Sequence, residues 1–433
     1  MRRSASAWRC GLAAAALLAL PALPATAQPA AGQPVLRVTF DQAVRMAIDR
    51  NPSVAGAAQG ILQAQALLNE MTALARPTVA GAVTATFLDK GTSINGVTAT
   101  ARNQLSGTVA LSVPLIVPVQ WALRVQAADS ERVARLAASD MRKQVAVSTA
   151  QACLSIVALR ELLGADVRSR DVARAHYEYA KQLRVAGAGS RLNEVRAQQA
   201  VSADAALVES SQADLYKAQE ALGVLLAADG PADLVDEPVL DVPASLDAAI
   251  ASMASMRTDL LLLAGREKAL ARIVSDSWKD WLPSVSGLFT PEFDEPQTLF
   301  QRRFSWRAQV VATVPIFDSG YRKAVKAGRQ SDLETARIAQ NAAARQAFSD
   351  VRTARDALQA AERALGFARD AAEQARQVVE IVNVSFRVGA STNIEVIDAQ
   401  RVARDADTSV ALAEHDVRQA KLNLLVALGL FPR

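Results

Sequence analysis

Residues 351–386 read VRTARDALQAAERALGFARDAAEQARQVVEIVNVSF, and this stretch decides the fold class. Its apolar residues recur every seven positions, at Val351, Leu358, Leu365, Ala372, Val379 and Phe386. Small or branched residues fill the places between them, at Ala354, Ala361, Ala368, Ala375 and Val382. A 3.5-residue repeat sustained this long predicts a helix that supercoils left-handedly against a partner helix. The many alanines on this seam predict close approach of the two backbones.

The helix predicted from this repeat covers residues 321–388 and would be roughly 100 Å long at 1.5 Å per residue. After a glycine turn the pattern resumes in steps of three and four, at Ala403, Ala406, Val410, Ala413, Val417, Ala420, Leu424 and Ala427. The sequence therefore predicts two long helices that form a hairpin. Heptads alone also fit an ordinary coiled-coil rod.

The chain repeats itself after about 200 residues. VALSVPL at 109–115 returns as VVATVPI at 310–316, and RPTV at 76–79 returns as LPSV at 282–285. A third landmark, spread over 187–198, returns over 389–400. Three landmarks in the same order predict a duplicated unit of one helix, two strands, a long helix, a glycine turn and a second long helix.

This duplication predicts four segments. We expect a signal peptide at 1–27, a first repeat at 28–231, a linker rich in Pro and Asp at 232–243, and a second repeat at 244–433. Arg2 and Arg3 precede a short apolar run at 11–20, and Ala-Thr-Ala at 25–27 is typical of a cleavage site. The sequence therefore predicts an exported protein.

Four strands are predicted at 78–88, 104–113, 284–291 and 305–314. In the second strand Leu105, Val109 and Leu111 alternate with serine and threonine. This alternation is typical of a strand with one apolar and one water-exposed face. Pro114 and Pro315 are expected to end the strand pairs, because proline cannot donate to a ladder. A half-buried sheet of a soluble protein fits any one strand equally well.

Composition excludes several classes of function. Removing the signal peptide's three arginines leaves 45 basic against 44 acidic residues, so no nucleic-acid partner is expected. The two histidines, His176 and His415, have no cysteine pair near them, and we predict no enzyme activity, metal or cofactor. Beyond the signal no transmembrane helix is expected, so a membrane would have to be crossed by strands.

Several short motifs carry a resemblance to a known family. They are TFDQAV at 39–44 followed by Asn51-Pro52, VPIFDSG at 314–320, and FRVG at 386–389 leading into IEVIDAQ at 394–400. Together they resemble the outer-membrane efflux protein family, the TolC-like channels. The resemblance implies a mainly α fold with β: a homotrimer in which each protomer gives four strands to a transmembrane β-barrel and long helices to a periplasmic tunnel.

The resemblance also implies a function and partners. A protein of this kind is a passive channel in the outer membrane, extends into the periplasm, and works with a periplasmic adaptor protein and an inner-membrane pump. The residues implied to dock the adaptor lie at the two helix reversals: Val185, Gly187, Ser190, Val388, Gly389, Ala390 and Thr392. Glu395 and Asp398 are implied to form acidic rings at the pore entrance, which would favour cations.

Three positions depart from the family pattern. Phe386, Ser391 and Asn193 stand where relatives often have an aromatic hydroxyl, a base and an acid, so the polar latch of some relatives cannot form in the same way. Glu194 is a candidate substitute. The first repeat also lacks the Asp and Gly of VPIFDSG, having Ile-Val-Pro at 116–118. The alternative function is a periplasmic coiled-coil adaptor or tether that never enters a membrane.

Overall fold

The computed structural model describes residues 35–243 and 246–432, so the predicted signal peptide lies outside the described residues. These described residues form eight strands and eight α-helices in this order: β1 Leu36–Val38, α1 Phe40–Arg50, α2 Pro52–Ala73, β2 Thr78–Phe87, β3 Thr92–Ile94, β4 Val97–Thr100, β5 Asn103–Ile116, α3 Pro118–Val185, α4 Arg191–Leu225, β6 Ala232–Leu234, α5 Leu246–Met256, α6 Thr258–Asp276, β7 Ser284–Glu295, β8 Phe304–Thr313, α7 Tyr321–Arg387 and α8 Asn393–Ala427. A short 3-10 helix, Ser277–Trp281, joins α6 to β7.

The helices form two long hairpins. α3 has 68 residues and α7 has 67, so each is roughly 100 Å long, and each folds back into a 35-residue partner, α4 or α8. Of the predicted seam residues of α7, Val351, Leu358, Ala372 and Ala375 are buried. α3 also packs along α8, so the two hairpins lie side by side. The heptad pattern therefore identified the correct face of α7.

The core lies at the middle of the helices rather than at their tips. Its largest cluster brings α1, α3, α4 and the end of α8 together around Leu154, Ile156, Leu222 and Leu422, which are fully buried. A second cluster packs α5 and α6 against α7 and α8 around Met253 and Leu424. The first two helices of each half, α1 with α2 and α5 with α6, thus pack against the long hairpins at this level.

The four long strands form one antiparallel sheet in the order β2-β5-β7-β8. All four predicted strands are present, and β5 and β7 extend further than predicted. The β2–β5 pairing stops at Ser112, before Pro114 as predicted, but β5 itself does not end there: Pro114 pairs with Ser286, and the strand continues to Ile116. A register shift between Pro114 and Ile116 accompanies it, and such an irregularity is where a sheet tolerates a residue without an N–H. Pro315 does follow the end of β8.

Two small pairings were not predicted. β3 and β4 form a hairpin between β2 and β5, with Asn95 and Gly96 at its turn in positive φ, as a tight hairpin requires. β1 pairs in parallel with β6, so the predicted linker at 232–243 begins as a strand against the first described residues of the chain.

Contrary to the expectation of no membrane-spanning helix, α3 is long and apolar enough to span a membrane by length and composition alone. α3 contains an 18-residue window of mean hydropathy 1.4, and the bent pair Ala248–Met256 and Thr258–Trp281 passes the same test only if taken together. The window in α3 is 44% buried within the protein. Because Cys153, Leu154 and Ile156 of α3 lie in the core, packing against neighbouring helices accounts for this apolar composition.

Candidate functional site

The sheet has one apolar face that no other part of the described chain covers. The strand registers place the same side of every strand together, so alternate residues of the four strands share one surface. On one side they are apolar: Val79, Val83, Phe87, Leu105, Val109, Leu111, Phe289, Phe293, Phe304, Trp306 and Val310. Val83 keeps 78% of its surface exposed and Val310 keeps 73%. The described residues therefore leave this apolar face open.

The other face of the same sheet is polar. It carries Thr78, Thr84, Thr86, Ser106, Thr108, Ser112, Ser286, Thr290, Glu292, Arg307 and Gln309. Thr290 stands opposite Arg307, and Glu292 stands opposite Ser305. A sheet with one apolar and one polar face is suited to separate an apolar environment from water.

Both edges of this sheet lack a neighbouring strand among the residues that the structure describes. β2 forms one edge and β8 the other, and each is ten residues long. Unpaired N–H and C=O groups along such edges are a template for pairing with another chain. Successive strands alternate in direction, so β2 and β8 run in opposite directions.

At the far end of the long helices, the first reversal joins α3 to α4. Val185 ends α3 and is largely exposed, and Gly187 has a φ of +78°. The N–H of Ala188 donates to the carbonyl oxygen of Leu183, and that of Gly187 to Arg184, which is the Schellman pattern that closes a helix end. Ser190 then caps α4 by accepting the N–H of Asn193.

The second reversal, from α7 to α8, repeats this geometry. Gly389 has a φ of +80°, and the N–H of Ala390 donates to the carbonyl oxygen of Ser385 at 2.8 Å. Val388 is exposed beside it. Thr392 begins α8 with a capping box: its hydroxyl accepts the N–H of Glu395, and the Glu395 carboxylate accepts the N–H of Thr392 at 2.7 Å. All seven predicted tip residues therefore lie in these two turns.

The two predicted entrance acids have different surroundings. The carboxylate of Glu395 is engaged in the capping box, at the positive end of the helix dipole of α8. Asp398 lies one turn further along and forms an ion pair with the guanidinium of Arg401, 2.8 Å away. The pairing of Asp398 with a cation was not predicted, although Arg401 stands three residues away and that spacing was readable.

A buried polar contact joins the two hairpins just above the reversals. Nε2 of His176 in α3 lies 2.8 Å from Oδ1 of Asn393 in α8, and Nδ2 of Asn393 donates to the carbonyl oxygen of Asn193 in α4. Because the amide nitrogen of Asn393 faces Asn193, its oxygen faces the histidine, and Nε2 is the donor. Burial lowers the pKa of His176, and the bond to Asn393 opposes that shift. Sequence reasoning missed this contact.

Two of the three positions that depart from the family pattern, Phe386 and Asn193, lie at this contact. The Phe386 ring packs on His176 and Tyr179, with centroids 5.4 Å and 6.0 Å away. Asn193 contributes its backbone carbonyl. Glu194, the candidate substitute, pairs with Arg184 of its own hairpin. An amide, an imidazole and two aromatic rings therefore lie together at this contact.

The VPIFDSG motif forms the junction between the sheet and α7. The Asp318 carboxylate accepts the N–H groups of Gly320 and Arg322 at 3.1 Å and 3.0 Å and pairs with the buried Arg322 guanidinium at 2.5 Å. These contacts lower the pKa of Asp318, with the Arg322 side chain as the largest cause. Arg322 also stacks on Trp281, 4.3 Å from the ring centroid. The motif therefore sets the angle at which the helix leaves the sheet.

Comparison with solved structures identifies the fold. A membrane protein from Pseudomonas aeruginosa matches with a TM-score of 0.79 at 20% identity, covering 91% of each chain. The CmeC outer membrane channel of Campylobacter jejuni matches at 0.77 and 16%, covering 90% of this chain and 85% of that one. The open state of the MtrE outer membrane channel of Neisseria gonorrhoeae matches at 0.75 and 18%, covering 90% and 88%.

At these identities the likeness establishes the fold, which is that of the TolC-like channels: mainly α with β, as predicted. Residues 249–430 match the model of the outer membrane efflux protein family. The predicted resemblance to this family is confirmed over those residues. No curated protein sequence matches the chain significantly. Trimeric assembly, the domain bounds and the site residues stay predictions.

Proposed function

We propose that this chain is the outer-membrane channel subunit of a tripartite efflux system, one of three identical copies that form a passive conduit. It sits in the outer membrane and extends into the periplasm, where it meets an adaptor protein and, through it, an inner-membrane pump. Neither a cofactor nor a nucleic acid takes part in this function. The proposal combines the fold, the family match of the second half and the geometry of the sheet.

The observation that carries the proposal is the exposed apolar face of the β2-β5-β7-β8 sheet. A soluble protein rarely leaves a continuous apolar surface of this extent in water, because each exposed apolar side chain costs hydrophobic free energy. Lipid is the partner that covers such a surface, and the ten-residue strands suit a tilted crossing. Within lipid only closed structures satisfy the backbone, so the polar face lines a water-filled lumen.

Four strands are too few to enclose a pore, and so the sheet closes through other copies. β8 of one copy pairs with β2 of the next, and these edges run in opposite directions, which makes every junction antiparallel. Three copies give twelve strands. The helix hairpins continue the same ring away from the membrane for about 100 Å, which is long enough to cross much of the periplasm.

The helix reversals form the periplasmic end. Val185, Gly187, Ser190, Val388, Gly389, Ala390 and Thr392 present two rigid, capped turns, and their exposed valines offer apolar contacts to the adaptor. Glu395 and Asp398 follow the second turn and line the entrance. The chain has no group that supplies energy in this scheme; the pump supplies it.

Fractionation and planar-bilayer recording test this function. We expect the full-length protein in the outer-membrane fraction as a heat-modifiable trimer, and the purified protein to conduct ions in bilayers. A crosslink between cysteines placed on β2 and β8 should join copies, whereas cysteines on β5 and β7 should not. Protein that stays monodisperse without detergent and forms no channel would overturn the proposal in favour of a periplasmic adaptor or tether.

A further inference from the structure

Beyond the two predicted acids, α8 carries a stripe of alternating charge. Asp398, Arg401 and Asp405 are spaced by three and four residues and so lie on one helical face. One guanidinium nitrogen of Arg401 lies 2.8 Å from Asp398 and another lies 3.6 Å from Asp405. More than half of each side chain is exposed, at 62%, 58% and 52%. Any solute that reaches Asp398 therefore also meets Arg401.

This stripe is anchored to the neighbouring hairpin. Asp405 also receives Arg404 at 2.7 Å, and Arg404 reaches Asp204 of α4 at 3.0 Å. Asp204 in turn accepts the hydroxyl of Ser169 in α3 at 2.8 Å. Because Arg404 and Asp204 are largely buried, they hold Asp405, the second partner of Arg401, in place. Arg401 is thus held between two carboxylates rather than extended freely into solvent.

The pairing changes the charge of the predicted entrance. Glu395 is engaged with the N-terminus of α8, where the helix dipole offsets its charge. Asp398 has the guanidinium of Arg401 2.8 Å away. The carboxylates of Asp398 and Asp405 raise the pKa of Arg401, and Asp398 contributes most. Two stacked acidic rings would concentrate cations strongly. A ring of arginines beside the inner acids opposes that concentration.

We infer that Arg401 is a selectivity-determining residue of the channel, which neutralises the Asp398 ring and keeps the entrance from retaining multivalent cations. The inference rests on the proposed function, because it requires that this face of α8 line the conduit. Three copies place negative, positive and negative rings in succession. Such an arrangement lets charged solutes of either sign pass with a weak preference for cations.

The test is ion selectivity of the purified full-length protein in planar bilayers, measured as the reversal potential in a KCl gradient, together with block by hexaamminecobalt(III) chloride. Arg401→Gln should increase the cation preference and lower the half-blocking concentration by at least about fivefold, because one unit charge repels even a monovalent cation about 4 Å away by about 1 kcal/mol in water and the blocker is trivalent. Arg401→Lys should retain wild-type selectivity. In an Asp398→Asn background, Arg401→Gln should change block much less.

Arg369→Gln is the matched control. Arg369 is similarly exposed and makes one ion pair with α8. Its partner, 2.7 Å away, is Glu414, which lies 16 residues beyond Asp398. If Arg401→Gln conducts like Arg369→Gln, with unchanged selectivity and block, Arg401 is only a solvated surface charge and the inference is overturned. A wild-type protein that forms no channel would instead overturn the proposed function, so the two failures are distinguishable.

Discussion

Nε2 of His176 lies 2.8 Å from Oδ1 of Asn393, although 217 residues separate the two in the chain. Asn393 also donates to the backbone of Asn193, so this pair joins α3, α4 and α8 within one turn of the second glycine reversal. Both side chains are buried. The hairpins are therefore tied at their tips by neutral hydrogen bonds.

This tie should weaken in acid. Burial lowers the pKa of His176 from its ordinary 6.5, so an opened state binds the proton more readily than the closed one. The stability of the contact is then complete above pH 6.5 and is lost as the pH falls toward the lowered pKa. Hydrogen exchange of the 186–193 and 388–395 segments should accelerate between neutral pH and pH 5, after correction for the intrinsic rate.

Replacing the histidine separates this effect from other titrations. His176→Gln should remove most of the pH dependence of exchange at the tips, whereas His415→Gln, at the only other histidine, should leave it unchanged. Equal pH dependence in wild type and His176→Gln would show that other groups control the tips.

The two faces of the sheet should respond differently to charge. Val83→Lys places an ammonium on the apolar face near mid-strand and should cost about 2–4 kcal/mol of stability in a bilayer. Thr84→Lys, one residue along and on the polar face, should cost little. Urea-induced unfolding in lipid vesicles measures both. Equal costs at the two positions would mean that the faces are not lipid and lumen.

The glycine of the second reversal should resist substitution for backbone reasons alone. Gly389 has a φ of +80° with open space around the position of a Cβ, so Gly389→Ala should cost about 1–2 kcal/mol through strain. Gly366 also has open space but lies within α7, so Gly366→Ala should stabilise by about 0.5–1 kcal/mol. Thermal unfolding followed by circular dichroism compares the two, and a neutral Gly389→Ala would exclude a strained turn.

The junction between sheet and helix should depend on Asp318. Hydrogen bonds from Arg322 and Gly320 lower the pKa of Asp318 below its ordinary 3.8, so its contribution is present above that pH and is lost as the pH falls through the lowered value. Asp318→Asn should speed proteolysis at 314–322 at neutral pH. Asp332→Asn, at an exposed acid of α7, should not; the same rate in both variants would count against a capping role.

Patterns that repeat along the chain were readable from the sequence. Heptads identified the buried seam of α7, alternation identified the four long strands, and glycines marked both reversals. Contacts between distant segments were not readable, because periodicity contains no information about which helices meet. His176 with Asn393 and Arg404 with Asp204 belong to this group, as does the pairing of β1 with β6.

Local chemistry also produced one wrong inference. Proline was expected to end β5 because it lacks an N–H, yet Pro114 lies inside the strand. A register shift lies beside Pro114, and sheets tolerate a residue without an N–H at such irregularities. The shift depends on the register of two strands that are far apart in sequence. A single strand read alone gives no sign of it.

The even number of strands in the sheet has a consequence for how the proposed shared barrel can vary in evolution. Since the protomer begins and ends its sheet with oppositely directed strands, adding or removing a whole subunit never changes the type of junction. Gaining a single strand would make every junction between copies parallel, whereas gaining a hairpin would keep each junction antiparallel. The girth of the proposed barrel can therefore change by whole subunits or by hairpins without altering its antiparallel pairing.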